Sequence, residues 1–244
     1  MKKITSYILA GFLLGCTAEN PEPVFDAPIE WKEFYTSYGV RCLDTLVSHS
    51  GKEIPAFGSV KSFGPPKGAG QNGGSLDVFV IGEGKEAIFE IQGYTAANQN
   101  GIDLKVFENG FESTSGTYAW DLGTLQVSPD NIHWYGFEPK HVPPNNQITG
   151  KTNLIGLHPV ITNYEDNSIN PRLDAAGGDG FDLANAKLIT DNSSGNPLTF
   201  EYGTSLIENI RYFKIVDGGS TLPDGQVQSN GVDIDGFCIF NPEK

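Results

Sequence analysis

The amino-acid sequence predicts an all-β protein: a β-sandwich of jelly-roll-like topology, formed by a single domain with a long irregular insertion. Short runs of β-branched and aromatic residues recur along the chain, separated by Gly, Asn, Asp and Pro. No stretch keeps a sustained apolar period of about 3.6 residues, which an amphipathic helix would show. The 30 Gly and 15 Pro residues supply the turns that many short strands need. Helix is therefore expected to be scarce.

Eight segments have the composition of strands. They are 75–81, 87–91, 103–108, 122–128, 134–137, 198–202, 210–217 and 232–240. Segment 145–196 breaks their regular spacing, because it is rich in Asn, Gly and Pro and holds only brief apolar pieces. Long irregular segments of this kind often carry function. No internal repeat is evident, so one domain is predicted.

The first sixteen residues resemble a bacterial lipoprotein export signal. Lys2 and Lys3 precede an apolar run over 4–14, and Cys16 directly follows Gly15. About a dozen apolar residues are too few to span a bilayer comfortably. In the lipobox that this pattern resembles, the Cys is acylated on its thiol. The same Cys becomes the first residue of the mature protein. The alternative is a Cys without lipid in a signal peptide.

This signal predicts a three-part chain. Residues 1–15 are the expected signal peptide, 16–30 a lipidated, acidic and Pro-rich tether, and 31–244 the sandwich domain. Several acyl chains on Cys16 would hold the protein firmly on a bilayer without spanning it. We therefore expect a cell-envelope location, extracytoplasmic and on the outer membrane.

The charge of the chain argues against two classes of partner. The formal net charge is −14, and removal of Lys2 and Lys3 with the signal lowers it by two, to −16. Such an acidic surface argues against binding to nucleic acid or to anionic lipid head groups. A monomer is expected.

Two cysteines remain if Cys16 is lipidated. Exported proteins reach compartments where disulfides form, so Cys42 and Cys238 are expected to be bridged. The bridge would join the first and last strands of the domain. The alternative is a pair of separate buried thiols, because sequence spacing does not report distance in space.

Three short acidic clusters could supply oxygen ligands to a calcium ion. Their six candidate ligands are Glu108, Asn109, Asp179, Asp182, Asp233 and Asp235. Calcium takes about six to eight oxygen ligands, often from residues that are distant in sequence. A structural calcium ion is therefore the expected cofactor. The alternative is that these are turn residues whose side chains accept hydrogen bonds from loop N–H groups.

Signatures of catalysis are few. The four His residues lack the paired spacing of zinc motifs, and the chain has no G-x-S-x-G and no phosphate-binding Gly loop. The paired carboxylates of a glycoside hydrolase remain open, because their separation is spatial. We predict binding, with a glycoside hydrolase as the least favoured alternative.

Two aromatic residues are candidates for contact with a ligand. Tyr118 and Trp120 lie in a Ser/Thr/Gly-rich stretch that follows Phe111. The faces of Tyr and Trp stack on sugar rings while their polar edges stay in water. The alternative is ordinary packing in the core.

Six short motifs occur in an order that resembles one family. They lie at 64–66 (GPP), 73–82 (GGSLDVFVIG), 103–111 (DLKVFENGF), 127–135 (VSPDNIHWY), 177–184 (GGDGFDLA) and 231–237 (GVDIDGF). A similar series is found in bacterial cell-surface lipoproteins of the Leptospira type and in related secreted proteins of the PEP-CTERM type. The resemblance covers roughly residues 57–240. It implies a galactose-binding-like jelly roll and a surface location, and says less about activity.

The chain departs from that family pattern after Phe111. The family often has Trp-Ala-Glu-Pro in this region, whereas this chain has Tyr118-Ala-Trp-Asp121. Any role of that Glu is therefore open. The resemblance implies that the six acidic and amide positions named above are site residues or loop-locking residues.

Together these patterns predict an anchored, extracytoplasmic module that binds a ligand, with a glycan as the first choice. Capture of another nutrient, such as a corrinoid, is one alternative. A structural or adhesive envelope protein without a small ligand is another.

Overall fold

The computed structural model describes residues 28–112, 118–119, 121–139, 152–191, 199–201, 208–218 and 231–244. Within them the fold is almost entirely β-structure. The strands are β1 Val40–Cys42, β2 Thr45–His49, β3 Phe79–Val80, β4 Glu86–Glu90, β5 Leu104–Glu108, β6 Phe111–Glu112, β7 Tyr118–Ala119, β8 Gly123–Ser128, β9 Tyr135–Gly136, β10 Asp179–Phe181, β11 Lys187–Asp191, β12 Thr199–Phe200, β13 Tyr212–Asp217 and β14 Asp233–Phe240.

Helix is scarce in the described residues, as predicted. The α-helix α1 spans Ile29–Tyr38, and short 3-10 helices span Pro55–Phe57, Ser59–Ser62, Asp174–Ala176 and Leu183–Asn185. None of these helices is long and apolar enough to cross a membrane.

Two antiparallel sheets form the sandwich. The five-stranded sheet has the order β1-β14-β5-β10, with β3 also paired to β14, and the seven-stranded sheet has the order β12-β11-β9-β8-β13-β4-β2. Strands β6 and β7 form a separate hairpin. The predicted all-β sandwich is therefore confirmed. Each of the eight predicted strand segments overlaps one of the strands.

The main core lies between the two sheets. Leu104, Val106 and Phe237 come from the five-stranded sheet, and Phe89 and Phe213 come from the seven-stranded sheet. All five side chains are fully buried. Alternation along β5 directs Lys105 and Phe107 to the opposite, outer face of the five-stranded sheet.

The helix α1 covers part of that outer face. Its Phe34 and Tyr35 pack with Val40, Phe107 and Phe240 in a second, smaller core. The helix ends at Gly39, which has a left-handed conformation and donates its N–H to Tyr35 O. It begins at Ile29, within the segment that was expected to be a tether, and its apolar residues follow the i, i+3, i+4, i+7 pattern over too short a length to stand out.

Strand β14 is buried on both faces. Ile234, Phe237 and Ile239 belong to the main core, whereas Cys238 and Phe240 belong to the outer one. Simple alternation would put Ile234 and Phe237 on opposite faces. A register shift against β5 between Ile234 and Gly236 allows both to face the main core.

The predicted disulfide is confirmed. Cys42 of β1 lies directly opposite Cys238 of β14, and the bond between them closes a sequence separation of 196 residues. It therefore joins the first and last strands of the five-stranded sheet.

The described part of the segment expected to be an irregular insertion, 152–191, contributes two strands. Within 145–196, β10 pairs with β5 and β11 pairs with β9. The sequence of β10, Asp-Gly-Phe, has weak strand propensity, so its conformation depends on pairing with β5. This pairing places Asp179 opposite Val106, close to the end of β5.

Candidate functional site

Three carboxylates approach one another where β5 ends. Glu108 is the last residue of β5, Asp233 is the first residue of β14, and Asp121 precedes β8 of the other sheet. Asn109 N donates to Asp233 O at 2.9 Å, which ties the end of β5 to the start of β14. We call Glu108, Asp121 and Asp233 the acidic corner.

Glu108 is buried and Asp121 and Asp233 are half-buried, so the negative charges of the acidic corner repel one another in a poorly solvated place. Burial raises the pKa of Glu108 well above its usual range, and Asp121 and then Asp233 raise it further, while the Gly110 N–H lowers it. Burial also raises the pKa of Asp233 to about 7, with added repulsion from Asp121 and Asp217. Glu108 Oε2 and Asp233 Oδ1 are buried without a hydrogen-bond partner.

Two neighbouring carboxylates are bonded quite differently. Asp217 accepts the N–H groups of Gly84 at 2.7 Å and Val232 at 3.0 Å. Asp179 Oδ2 accepts the N–H groups of Gly156 at 2.7 Å and Leu157 at 3.0 Å. Both side chains therefore hold loops in place. Glu108 Oε2 and Asp233 Oδ1 make no such hydrogen bonds.

A cleft of about 240 Å³ lies beside Lys105 of β5 and Asp179 of β10. It is lined by Ile102, Lys105, Thr152, Asn153, Leu154, Leu157, His158, Arg172, Asp174, Gly178, Asp179 and Gly180. These residues come from β5 and the residues just before it, from β10 and from the segment 152–178. We call this space the cleft.

Lys105 places a buried amino group at the cleft. The residue is only 3% exposed, and its Nζ donates to Leu173 O at 3.0 Å. Burial lowers the pKa of Lys105, whereas the nearby carboxylates of Asp174 and Asp179 raise it. The cleft therefore offers an N–H donor on a rigid strand.

His158 adds an exposed imidazole to the cleft. Its Nδ1 lies 2.7 Å from Asp179 Oδ1, and its side chain is 67% exposed. The hydrogen bond to Asp179 raises the pKa of His158, and burial partly offsets that rise. Since Nδ1 is held by Asp179, Nε2 is the ring nitrogen left for a ligand.

The Arg172 side chain makes its hydrogen bonds to residues outside the cleft. Its Nε donates to Tyr38 O at 3.2 Å, and its Nη2 donates to Gly39 O at 3.0 Å and to Asn241 Oδ1 at 2.6 Å. The guanidinium also lies 4.6 Å from the centre of the Phe240 ring. Arg172 thereby fastens the end of α1 to the C-terminal strand.

The structure brings together three of the six predicted ligand positions. Glu108 and Asp233 form the acidic corner, and Asp179 is close enough to raise the pKa of Glu108. Asn109 instead pairs with Ser75, accepting from its N at 2.5 Å and donating to its O at 3.1 Å. This is the loop-locking alternative.

The other two predicted positions lie elsewhere. Asp182 caps the 3-10 helix Leu183–Asn185 by accepting the Ala184 N–H at 2.9 Å. Asp235 Oδ1 accepts the Lys67 N–H at 2.6 Å, and its Oδ2 is buried without a partner. Burial raises the pKa of Asp235 to about 7.

The side chains of three predicted site residues are not described by the structure. Cys16 and Trp120 lie outside the described residues, as does the side chain of Tyr118. The lipid anchor and the aromatic platform therefore stay predictions.

Sequence reasoning missed Asp121, Lys105 and His158. Asp121 follows Trp120 in the stretch where the resembling family often has a Glu, and this was the available signal. Lys105 stands between the apolar residues Leu104 and Val106 of β5, and this alternation marks a position facing away from the main core. Nothing local singles out His158, because Asp179 is 21 residues away.

No protein-family model and no curated protein matches this chain. In the described part of the chain, no group of three or more His, Cys, Asp or Glu side chains already has an arrangement that would hold a metal ion.

Proposed function

We propose that this protein is a lipid-anchored, extracytoplasmic module that binds a glycan in the cleft. The observation that carries the proposal is the composition of the cleft: the buried amino group of Lys105, the exposed imidazole of His158 and the carboxylate of Asp174 surround an apolar floor. Binding sites for small ligands commonly combine a few oriented polar groups with apolar surface.

The polar groups suit the hydroxyls of a sugar. Each hydroxyl donates one hydrogen bond and accepts others, so a sugar ring needs both kinds of partner. Lys105 is a donor and Asp174 is an acceptor. With Nδ1–H donated to Asp179, the Nε2 of His158 accepts a hydrogen bond when the ring is neutral and donates one when the ring is protonated. Ile102 and Leu157 provide apolar surface for the C–H face of the ring.

The size of the cleft limits the ligand. Its volume of about 240 Å³ lies below the roughly 300–1,000 Å³ of sites for drug-sized molecules. One or two sugar residues fit this space better than the much larger macrocycle of a corrinoid. Geometry therefore favours a glycan over a corrinoid.

Catalysis finds little support at the cleft. A glycoside hydrolase generally needs a pair of carboxyl groups that act on either side of the scissile bond. Asp179 accepts two backbone N–H groups and pairs with His158, so it is occupied as a structural acceptor. Asp174 is left as the available carboxylate among the described lining residues.

The lipoprotein signal supports the proposed location. Acylation of Cys16 would tether the domain outside the cytoplasm, through the acidic and Pro-rich segment that follows. A ligand-binding domain on such a tether could meet glycans of the envelope or of the surroundings.

A glycan array tests the proposal. The wild-type chain should bind a defined set of glycans, and Lys105→Met should lose that binding. Lys52→Met is the matched control, because Lys52 is an exposed lysine outside the cleft. A cobalamin titration is run in parallel. Binding of cobalamin alone, or of no compound in either assay, would contradict the glycan proposal and favour one of the alternatives.

A further inference from the structure

Lys105 holds a buried positive charge that has no charged partner. The residue is 3% exposed, and its Nζ donates to the neutral carbonyl oxygen of Leu173 at 3.0 Å. An ammonium group has three N–H donors, and this hydrogen bond uses one of them. Among the described residues, Lys105 forms no ion pair, since the carboxylates of Asp174 and Asp179 act on it without a hydrogen bond. A buried charge in this situation costs free energy unless an anion joins it.

The carboxylate of Asp179 is compensated by groups other than Lys105. Its Oδ1 pairs with His158 Nδ1 at 2.7 Å, and its Oδ2 accepts the N–H groups of Gly156 and Leu157. These hydrogen bonds hold the carboxylate in place on β10. Asp179 therefore does not supply the partner that the ammonium group lacks.

The charge of the cleft differs from that of the chain as a whole. The chain has 30 acidic residues against 16 Lys and Arg, whereas the cleft is lined by two of each, Lys105 and Arg172 with Asp174 and Asp179. Asp174 is exposed, so water and salt screen its charge, while the charge of Lys105 is buried and screened much less. With Asp179 compensated, the buried part of the cleft carries an excess of positive charge.

The cleft has room for a ligand directly beside Lys105. Gly180 of β10 lies opposite Lys105 in the pairing of β10 with β5, and it also lines the cleft. A Cβ on Gly180 would lie 3.0 Å from Ile102 Cγ2, so a side chain at this position would crowd the cleft. Ile102 itself is 44% exposed and gives the C–H face of a sugar ring an apolar surface.

We propose that the cleft selects an acidic sugar, whose singly charged oxyanion group accepts hydrogen bonds from Lys105 Nζ. Selection of an acidic sugar rests on the proposed function and names the class of glycan. A carboxylate and a sulfate ester share this chemistry, and each would pair with the single buried ammonium group. Hydrogen bonds between two ionised groups are roughly twice as strong as those between neutral groups. A doubly charged phosphate fits less well, because Asp174 and Asp179 would repel its second charge.

A glycan array separates the class of glycan from glycan binding as such. It carries glycans that contain uronic acids, the same glycans after reduction of their carboxylates to alcohols, and sulfated glycans. The full chain, purified in detergent, should bind acidic members of the array. Reduction of the carboxylates should weaken binding about tenfold or more, because a charged hydrogen bond is lost. The uronic-acid and sulfated glycans identify which oxyanion is bound.

Lys105→Gln tests whether the charge of Lys105 holds the acidic glycan. The variant keeps an N–H donor and removes the charge, so calorimetric titration should show an affinity for the leading acidic glycan about tenfold lower or less. Its Tm should stay close to that of the wild type, because an unpaired buried charge does not stabilise the fold. An unchanged Tm separates loss of binding from loss of structure.

Asp174→Asn gives an effect of the opposite sign. The variant keeps an acceptor oxygen and removes the negative charge beside the proposed anion, so the affinity for the acidic glycan should rise about threefold. The affinity for the carboxyl-reduced glycan should not change. Asp166→Asn is the matched control, because Asp166 is an exposed aspartate outside the cleft. It removes the same charge from the chain and should leave both affinities unchanged.

Three results would overturn selection of an acidic sugar. They are array glycans that are neutral, acidic glycans that bind equally well after reduction, and an unchanged affinity of Lys105→Gln or, if that variant does not fold, of Asp174→Asn. Binding of neutral glycans in the cleft refutes the acidic class alone and leaves the proposed function in place. An array without any bound glycan refutes the proposed function and the acidic class together.

Discussion

His158 and Asp179 share a hydrogen bond, with 2.7 Å between Nδ1 of the imidazole and Oδ1 of the carboxylate. The two residues lie in different environments, since Asp179 is buried and His158 is exposed at the cleft. The remaining carboxylate oxygen of Asp179 holds the Gly156 and Leu157 N–H groups. The Asp179 side chain thus orders both the loop at Gly156 and Leu157 and the imidazole in the cleft.

The hydrogen bond between His158 and Asp179 should stabilise the fold to an extent that depends on pH. The hydrogen bond to Asp179 raises the pKa of His158 in the folded state. The stabilisation is complete below the unfolded pKa of about 6.5 and is lost as pH rises through the folded value. His158→Gln should therefore destabilise the protein more at pH 6 than at pH 9, as measured by urea unfolding. An equal loss at both pH values would show that the imidazolium does not stabilise the fold.

The disulfide predicts a large loss of stability on its removal. It closes a sequence separation of 196 residues, so in the chain-entropy model it should contribute about 5 kcal/mol. Replacing Cys42 and Cys238 together by Ser should then lower Tm by roughly 10–20 °C. Calorimetry of the double variant measures this change. A melting temperature within a few degrees of the wild type would mean that the bridge hardly constrains the unfolded chain.

Replacing Gly177 by Ala should cause a steric clash in addition to backbone strain. Its φ is +70°, and a Cβ there would lie 1.8 Å from Pro159 O, at the entrance to β10. Gly101 has a φ of +88° with no atom within 4 Å of a Cβ, so Gly101→Ala measures strain alone. Gly101→Ala should cost about 1–2 kcal/mol, and Gly177→Ala should cost clearly more. Urea unfolding measures the free energy of unfolding of both variants. Equal losses in Gly101→Ala and Gly177→Ala would rule out the clash with Pro159 O.

The lipoprotein signal proposed for residues 1–16 predicts a chemically defined anchor. Cells supplied with labelled palmitate should incorporate it into the wild-type protein and not into Cys16→Ser. That variant should leave the membrane fraction, because a tether without acyl chains has little affinity for a bilayer. A Cys16→Ser protein that stays with the membrane would show that another feature holds it there.

Much of the sandwich could be predicted because most of its longer strands have the residue composition that is typical of β-structure. Segments such as 103–108 and 210–217 are rich in β-branched and aromatic residues, and both form strands. The short β10 could not be predicted, since Asp-Gly-Phe acquires its extended form from its neighbour β5. The helix α1 was missed because ten residues give only a brief helical period.

The candidate site was predictable in part, for a similar reason. Glu108 and Asp233 occur at ends of predicted strands, where a sheet brings loops together. Asp235 looked equivalent to Asp233, because residues two apart on a regular strand share a face. The register shift between Ile234 and Gly236 breaks that rule, and Asp235 lies beside Lys67 instead. Asp121 affects Glu108 from a different sheet, and the sequence does not show which residues of two sheets lie close together.

The most direct test of the central claim, that the cleft is the binding site, is calorimetric titration of the leading array glycan into the full-length chain. The wild type and Lys105→Met are compared, with Lys52→Met as the control. Loss of one charged hydrogen bond, of about 1.5–3 kcal/mol, predicts an affinity roughly 10–150-fold lower for Lys105→Met and unchanged for Lys52→Met. Equal affinities of the wild type and Lys105→Met would contradict the claim and place the ligand outside the cleft.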